Sequence, residues 1–124
     1  MIELTLPFPP SVNGYWRAPT KGKLAGRHLI SAKGRQYRED AVKAIGQQWQ
    51  GQALAGRLAV KVVLIPPDRR QRDIDNYSKG LLDAITHSGL WQDDGQIDQL
   101  TIIRGERARG GGCLVEIVEI AEAA

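Results

Sequence analysis

The sequence predicts an α+β fold in which helices pack on one small, mixed β-sheet. Two observations support it: short β-rich runs end at prolines, and two apolar stripes repeat at helical spacing. A chain of 124 residues that is 42% hydrophobic can build one core but hardly a second. We therefore expect a single domain over residues 1–124, with the element order strand, helix, strand, helix, strand, strand.

The first half of the chain contains one predicted strand and one predicted helix. The strand is Ile2–Leu6, because the prolines that follow cannot donate to a β-ladder. A stretch interrupted by glycine and proline runs from there to about Ile30. The helix is predicted to begin after Ser31, a good N-cap, and to stop at Gly51. Its apolar positions at helical spacing are Tyr37, Ala41, Ala44, Ile45 and Trp49.

The second half is predicted to add three strands and one helix. The β-rich run Leu58–Ile65 ends at two prolines and is predicted to be a buried strand. A second helix is expected to stop at Gly89, and its apolar stripe consists of Ile74, Tyr77, Leu81, Ala84 and Ile85. The last two strands are predicted at Ile97–Arg104 and Cys113–Ile120, joined by a flexible, glycine-rich hairpin loop.

Charge alone does not identify a nucleic-acid-binding protein, since 17 basic residues against 14 acidic ones give a net charge of only +3. Its distribution is more informative. Seven basic residues and no acid lie between Arg17 and Arg38. The run predicts a surface that binds phosphates, although solvation of a loop and a helix start remains an alternative.

Cysteine usage and hydropathy indicate a cytoplasmic protein. The lone Cys113 has no partner for an internal disulfide, as expected in a reducing compartment. No run approaches the roughly 20 apolar residues that span a bilayer, and the N-terminus lacks the features of a signal peptide. We therefore expect no membrane partner.

The residues between Asp68 and Lys79 carry the candidate chemistry. Closely spaced carboxylates repel one another and gain nothing by burial, but they suit a divalent cation. The arginines among them suit phosphate, and a nearby lysine can offset charge that develops during phosphodiester cleavage. Asp73 and Asp75 are the first two candidate ligands for Mg²⁺, and Asp94, with Asp93 as its alternative, is the third. The pattern indicates a metal-dependent nuclease.

Chain geometry limits how Asp94 can join the other two aspartates. A helix over residues 75–88 would travel about 20 Å away from Asp75. The six residues from Gly89 to Asp94 can return at most about 20 Å. Asp94 therefore either just reaches the site within one subunit or reaches it across a dimer interface.

Each acidic residue also has a purely structural interpretation. Asp75 suits a helix N-cap, Asp75 and Lys79 suit an ordinary i,i+4 surface pair, and Asp93 and Asp94 suit a turn. Capping needs one acid, however, whereas this chain has a cluster beside arginines and a lysine. The combination favours a site.

Other metal and phosphate motifs do not fit. An EF-hand loop that begins at Asp73 would need glycine where Ser78 stands. Zinc is disfavoured because Cys113 and the distant His28 and His87 offer no zinc spacing, and both histidines suit surface or polar packing positions. The chain contains no phosphate-binding loop of the Gly-x-x-x-x-Gly-Lys type.

Three segments together resemble the RusA family of Holliday-junction resolvases, and the likeness runs from about Ile2 to Ile120. The segments are Leu6-Pro7-Phe8-Pro9-Pro10-Ser11-Val12-Asn13, Pro67-Asp68-Arg69-Arg70-Gln71-Arg72-Asp73-Ile74-Asp75-Asn76 and Gly89-Leu90-Trp91-Gln92-Asp93-Asp94. The resemblance implies a homodimeric endonuclease that needs magnesium and makes paired nicks in four-way DNA junctions. It also implies that Asp73, Asp75 and Asp94 are the catalytic aspartates and that Lys79 is the essential lysine.

We expect the basic residues of this site to bind DNA backbone phosphates; they are Arg17, Lys21, Lys23, Arg27, Arg69, Arg70 and Arg72. Tyr15 and Trp16 are candidates for stacking on exposed bases or, alternatively, for core packing. Two other function classes remain open at this point. One is a non-catalytic, structure-selective DNA-binding module, and the other is a metal-dependent hydrolase of nucleotides or other small phosphate esters.

Overall fold

The computed structural model describes residues 1–27 and 29–120, so His28 and residues 121–124 lie outside the described part of the chain. In those described residues the main sheet consists of four strands: β1 (Ile2–Leu6), β4 (Leu58–Ile65), β5 (Ile97–Arg104) and β6 (Gly112–Glu119). Their spatial order is β1, β6, β4, β5. The short strands β2 (Trp16–Arg17) and β3 (Leu29–Ile30) form a separate antiparallel pair.

Within the described part of the chain, three α-helices accompany the sheet: α1 (Val12–Tyr15), α2 (Ala32–Gln48) and α3 (Lys79–Ser88). Two short 3₁₀ turns flank α3, one at Ile74–Tyr77 and one at Asp94–Gln96. The predicted α+β class, with helices on a mixed sheet, is confirmed. In the described residues no helix combines the length and the apolar character needed to cross a membrane.

The centre of the sheet is β4, which pairs in parallel with β5 and antiparallel with β6. Because β4, α3 and β5 follow one another in the chain, they form a β-α-β crossover. The carboxyl ends of β4 and β5 therefore lie at one edge of the sheet, and their amino ends lie at the opposite edge.

One face of the sheet is buried beneath the helices. Alternate residues of β4 are inaccessible to solvent, as a period of two requires; they are Leu58, Val60, Val62 and Leu64. Trp91 is also buried, and its indole N–H donates to Thr86 Oγ1 at 2.7 Å. That bond fixes the return of the chain from α3 toward β5.

Most predicted boundaries agree with the structure. Three strands match their predicted bounds, whereas β6 begins and ends one residue early. Ser31 caps α2, since its Oγ accepts from the backbone N–H of Gly34 at 2.9 Å. Gly89 ends α3 with φ of +83°, a left-handed conformation that glycine adopts without steric cost.

Three expectations need correction. The last two strands are not a hairpin, because β4 lies between β5 and β6 and pairs with each of them. The first long helix ends at Gln48 rather than at Gly51, because Trp49 turns to an extended conformation and packs against the core. The stretch before Ile30, predicted as irregular, contains α1, β2 and β3.

Candidate functional site

The loop that follows β4 is tied together by Asp68. Its carboxylate accepts from Arg72 Nη1 at 2.8 Å, from Arg70 Nε at 3.2 Å and from the backbone N–H of Arg70 at 3.0 Å. These bonds, led by the one from the Arg72 side chain, hold the pKa of the Asp68 carboxyl well below its usual range. Asp68 and Arg72 therefore set the shape of the loop.

The guanidinium of Arg72 is occupied inside the protein. Its side chain is only 9% exposed and lies over the Phe8 ring, with Cζ 5.4 Å from the ring centroid. Arg70 is 79% exposed and Arg69 is also exposed, so both reach solvent where a phosphate would approach. A phosphate contact from Arg72 would require its pair with Asp68 to open.

Asp73 and Asp75 lie at the 3₁₀ turn that connects this loop to α3. Ile74 and Tyr77 of the turn pack against the core, whereas both carboxylates are exposed. Asp73 occupies the N-cap position without a side-chain capping bond. Across residues 1–27 and 29–120, neither carboxylate has a hydrogen bond or an ion pair. The capping and surface-pair interpretations therefore do not describe this turn.

Lys79 is the first residue of α3, and its side chain is exposed. The amino end of a helix carries a partial positive charge, so a lysine there is locally unfavourable. Nothing in the described packing compensates for it, because Lys79 has no acidic partner among those residues. Its position one helical turn beyond Asp75 instead fits a role toward an anion.

The start of α3 is fixed by close packing on Tyr15. A Cβ atom placed on Gly80 would lie 2.6 Å from Tyr15 Cδ1, so only glycine allows this approach. Tyr15 is fully buried, which excludes it from stacking on bases in this conformation. Its ring meets the ring of Trp16 edge to face at 5.0 Å. The core-packing alternative holds for Tyr15.

A polar network joins the three helices beneath Lys79. Tyr15 donates its hydroxyl to Asp83, and Arg38 Nη2 reaches the same carboxylate at 2.9 Å. Burial and the bond to Asp83 raise the pKa of the Tyr15 hydroxyl to about 12. Burial raises the pKa of the Asp83 carboxyl, but the bonds from Tyr15 and Arg38 outweigh it, so the net shift is downward. No sequence pattern indicated this network, apart from the basic run that contains Arg38.

Asp94 lies at the other end of β5, in a turn pinned by Gln96. The side-chain oxygen of Gln96 accepts from the backbone N–H groups of Gln92 and Asp93 at 2.8 and 2.9 Å. Its amide nitrogen donates to the carbonyls of Leu54 and Gly56 at 2.9 and 2.8 Å. Gln96 is buried, so the turn cannot move without loss of four bonds. Sequence reasoning missed Gln96, because a glutamine beside a turn is ordinary.

The three candidate aspartates do not meet within one chain. Asp94 precedes β5, whereas Arg104 at the end of β5 donates to the backbone carbonyl of Arg72, next to Asp73. Eight residues of strand separate these points, or about 23 Å. No group of three Asp, Glu, His or Cys side chains in the described residues is arranged to hold a metal ion. The chain length left two ways for Asp94 to join Asp73 and Asp75, and the described residues do not show the one within a single subunit.

The donor set of Asp73 and Asp75 nevertheless fits magnesium. Mg²⁺ takes oxygen ligands, commonly one or two carboxylates, and completes its shell with water and substrate phosphate oxygens. Two exposed carboxylates without partners, on a turn anchored by core residues, offer such a donor pair.

The remaining predicted DNA-binding residues are exposed. Arg17 lies in β2, and the loop between β2 and β3 carries Lys21, Lys23 and Arg27. A groove of about 640 Å³ also lies beside the arginine loop, the segment after β4 that carries Arg69, Arg70 and Arg72. Phe8 and Tyr77 are among its apolar lining, and Lys33 and Arg70 are among its cations. The sequence did not predict this groove, since its walls come from three distant segments.

Comparison with known proteins assigns the chain to a class of nucleases. The family described as endodeoxyribonuclease RusA matches residues 7–117. The chain is 40% identical to the crossover junction endodeoxyribonuclease of Enterobacteria phage HK97 over 118 residues, which is 95% of this chain and 94% of that relative. It is 35% identical to the corresponding enzyme of Shigella sonnei and 34% identical to that of Escherichia coli K12, with the same coverage. The chain belongs to the endodeoxyribonuclease RusA family.

Proposed function

We propose that this protein is a magnesium-dependent endodeoxyribonuclease that resolves four-way DNA junctions by paired, symmetric cleavage. Family membership supports the substrate class, since its relatives carry the name crossover junction endodeoxyribonuclease. The observation that carries the mechanism is the turn with Asp73, Asp75 and Lys79, where two carboxylates and an ammonium group face solvent without described partners.

The active unit is a homodimer in which Asp94 of the partner subunit completes each site. Support comes from the placement of Asp94 and Asp73 at opposite ends of β5. A two-fold axis that runs across the strands would set the start of β5 in one subunit beside its end in the other. A four-way junction has approximate two-fold symmetry, so such a dimer presents one site to each of two equivalent strands.

Each residue has a distinct task in this scheme. Magnesium, when bound, polarises the scissile phosphate and makes water a stronger nucleophile. Asp73 and Asp75 hold it and align it with the DNA strand. Lys79 neutralises charge that develops on the phosphate oxygens as the P–O bond breaks. The exposed Arg69 and Arg70 bind neighbouring backbone phosphates and set the register of the strand.

A synthetic four-way junction, incubated with and without Mg²⁺ beside a linear duplex of the same sequence, tests this function. We expect symmetric nicks in the junction only when Mg²⁺ is present, and no cleavage of the duplex. Asp73→Asn should abolish the nicks and keep or tighten junction binding, because a negative charge that faces DNA is lost. Asp40→Asn, an exposed acid on α2, serves as the matched control and should cleave like the parent.

Two outcomes would overturn the proposal in favour of another class. Junction binding without any cleavage under a range of divalent ions would indicate a non-catalytic DNA-binding module. Hydrolysis of free nucleotides without action on branched DNA would indicate a small phosphate-ester hydrolase.

We also expect a cytoplasmic location. Among the described residues Cys113 is a free, buried thiol, in keeping with a reducing compartment. Burial raises the pKa of that thiol to about 12, so it is not a nucleophile at neutral pH. Fractionation of cells that express a tagged protein would test the location.

A further inference from the structure

The connector between β5 and β6 is built onto the end of β4. Because both strands flank β4, residues 105–111 must cross over its carboxyl end. The backbone N–H of Gly105 donates to Leu64 O at 2.7 Å, and that of Ala108 donates to Pro66 O at 3.1 Å. The segment predicted to be a flexible loop is therefore held at two points.

Close packing holds the same connector at a third point. Gly111 has φ of +66°, and a Cβ atom placed on it would lie 3.0 Å from Pro67 Cβ and 3.1 Å from Ile65 O. A larger residue would push the connector away from the strand. The backbone of the connector is consequently held beside the arginine loop.

A recess of about 500 Å³ lies between the connector and the arginine loop. Five arginines and one acid are among the residues that line it: Arg69, Arg70, Arg72, Arg104, Arg107 and Asp68. Asp68 is already shared by Arg70 and Arg72. The other three arginines therefore face the recess without a neutralising carboxylate.

Those three arginines are not equivalent. Arg104 donates to the backbone carbonyl of Arg72, which directs it to the loop beside Asp73. Arg69 and Arg107 have neither a hydrogen-bond acceptor nor an ion-pair partner within the described part of the chain. Like charges around one recess repel each other, and an anion that enters it removes that repulsion. Planar guanidinium groups are well suited to phosphate oxygens.

We propose that this recess binds a DNA backbone phosphate that neighbours the scissile phosphate on the same strand. Arg107 and Arg104 are the contacts that extend the site beyond the arginine loop. The inference rests on the proposed nuclease function. The position of the recess supports a phosphodiester rather than a base, since the charged recess adjoins Asp73 through Arg72 and no aromatic side chain is among its lining residues.

The salt dependence of junction binding, measured without divalent metal, tests the proposal. Arg107→Ala should lower affinity about 10-fold and make the slope of log K against log salt shallower by about 0.9, the loss of one phosphate contact. Arg109→Ala is the matched control, because Arg109 is exposed on the same connector but does not line the recess. It should keep the parent slope. Arg107→Lys keeps the charge and should restore the slope.

Two results would overturn the proposal that the recess binds a phosphate. One is an Arg107→Ala variant with the affinity and salt slope of the parent, and the other is an equal loss of affinity and slope in Arg109→Ala. Titration with pyrophosphate separates a free phosphate ligand from DNA. Tight binding of pyrophosphate that depends on Arg107, together with junction binding that does not, would also overturn the proposal.

The same variants distinguish this inference from the proposed function. With Mg²⁺, Arg109→Ala should cleave junctions like the parent at every protein concentration, whereas Arg107→Ala should need about 10-fold more protein to reach half of its own maximal rate. A parent protein that binds junctions but never cleaves them would refute the nuclease, while the slopes would still report on the recess.

Discussion

Asp68, Asp83 and Asp98 each pair with an arginine, whereas Asp73 and Asp75 have no partner among the described residues. Hydrogen bonds lower the carboxyl pKa of all three and tie together segments of the fold: bonds from arginine for Asp68 and Asp98, and bonds from Tyr15 and Arg38, which outweigh burial, for Asp83. The other two are exposed at a turn that the core holds in place. Asp68, Asp83 and Asp98 thus maintain the structure, whereas Asp73 and Asp75 keep their carboxylates exposed to solvent.

Asp73→Asn should give the largest effect, and it should change cleavage without lowering stability. We expect Mg²⁺-dependent cleavage to drop by about 10³-fold, since charge stabilisation in the transition state is lost. The free energy of unfolding should not decrease, because the carboxylate makes no bond that folding gains. Single-turnover cleavage and urea denaturation of the same preparation measure both quantities. If the variant unfolds more easily than the parent, Asp73 stabilises the fold, as the aspartates paired with arginine do.

Asp83→Asn should lower the stability of the fold, which Asp73→Asn should not do. Loss of the charged acceptor leaves the half-buried Arg38 without its ion pair, at a cost of about 1 to 2 kcal/mol in the free energy of unfolding at pH 7. The folded-state pKa of Asp83 lies below the unfolded value, so its contribution is present above pH 4 or so and is lost as the pH decreases through the folded pKa.

Denaturation of parent and variant at several pH values checks this sign. The difference in the free energy of unfolding between parent and variant should be largest near neutral pH and should decrease in acid, when Asp83 becomes protonated. Glu39→Gln, an exposed acid on α2, is the control and should show no comparable pH dependence. A gap that widens in acid would refute the assignment of Asp83.

Asp98→Asn should give the smallest effect. Its carboxylate accepts from Arg57 Nε at 2.9 Å, but both side chains are close to half exposed, so water and salt screen the pair. We expect an unfolding midpoint within experimental error of the parent and unchanged cleavage. A marked loss of stability would show that the exposure of these ion pairs does not determine how much each contributes to stability.

The sequence predicted the elements better than their connections. Proline boundaries, the Ser31 cap and the left-handed Gly89 are local features, so strands and helices could be read directly. The ladder order could not, because pairing of β5 and β6 with β4 depends on tertiary contacts. The hairpin prediction assumed instead that consecutive strands pair.

The candidate site was predictable in composition but not in arrangement. Asp73, Asp75 and Lys79 were identified because closely spaced carboxylates near a lysine suit a divalent cation and a phosphate. Gln96, the Tyr15 network and the recess at Arg107 were missed, since each joins residues distant in sequence. The chain-length estimate showed that Asp94 was barely within reach, and the structure places it at the far end of β5.

Subunit mixing tests the shared site most directly. Asp73→Asn and Asp94→Asn variants, each inactive alone, are combined under conditions that exchange subunits, and mixed dimers are confirmed by native mass spectrometry. If Asp94 acts on the partner's Asp73 and Asp75, each mixed dimer contains one intact site and should nick one strand of a junction at about half the parent rate. A mixture that forms mixed dimers yet stays inactive would contradict the account.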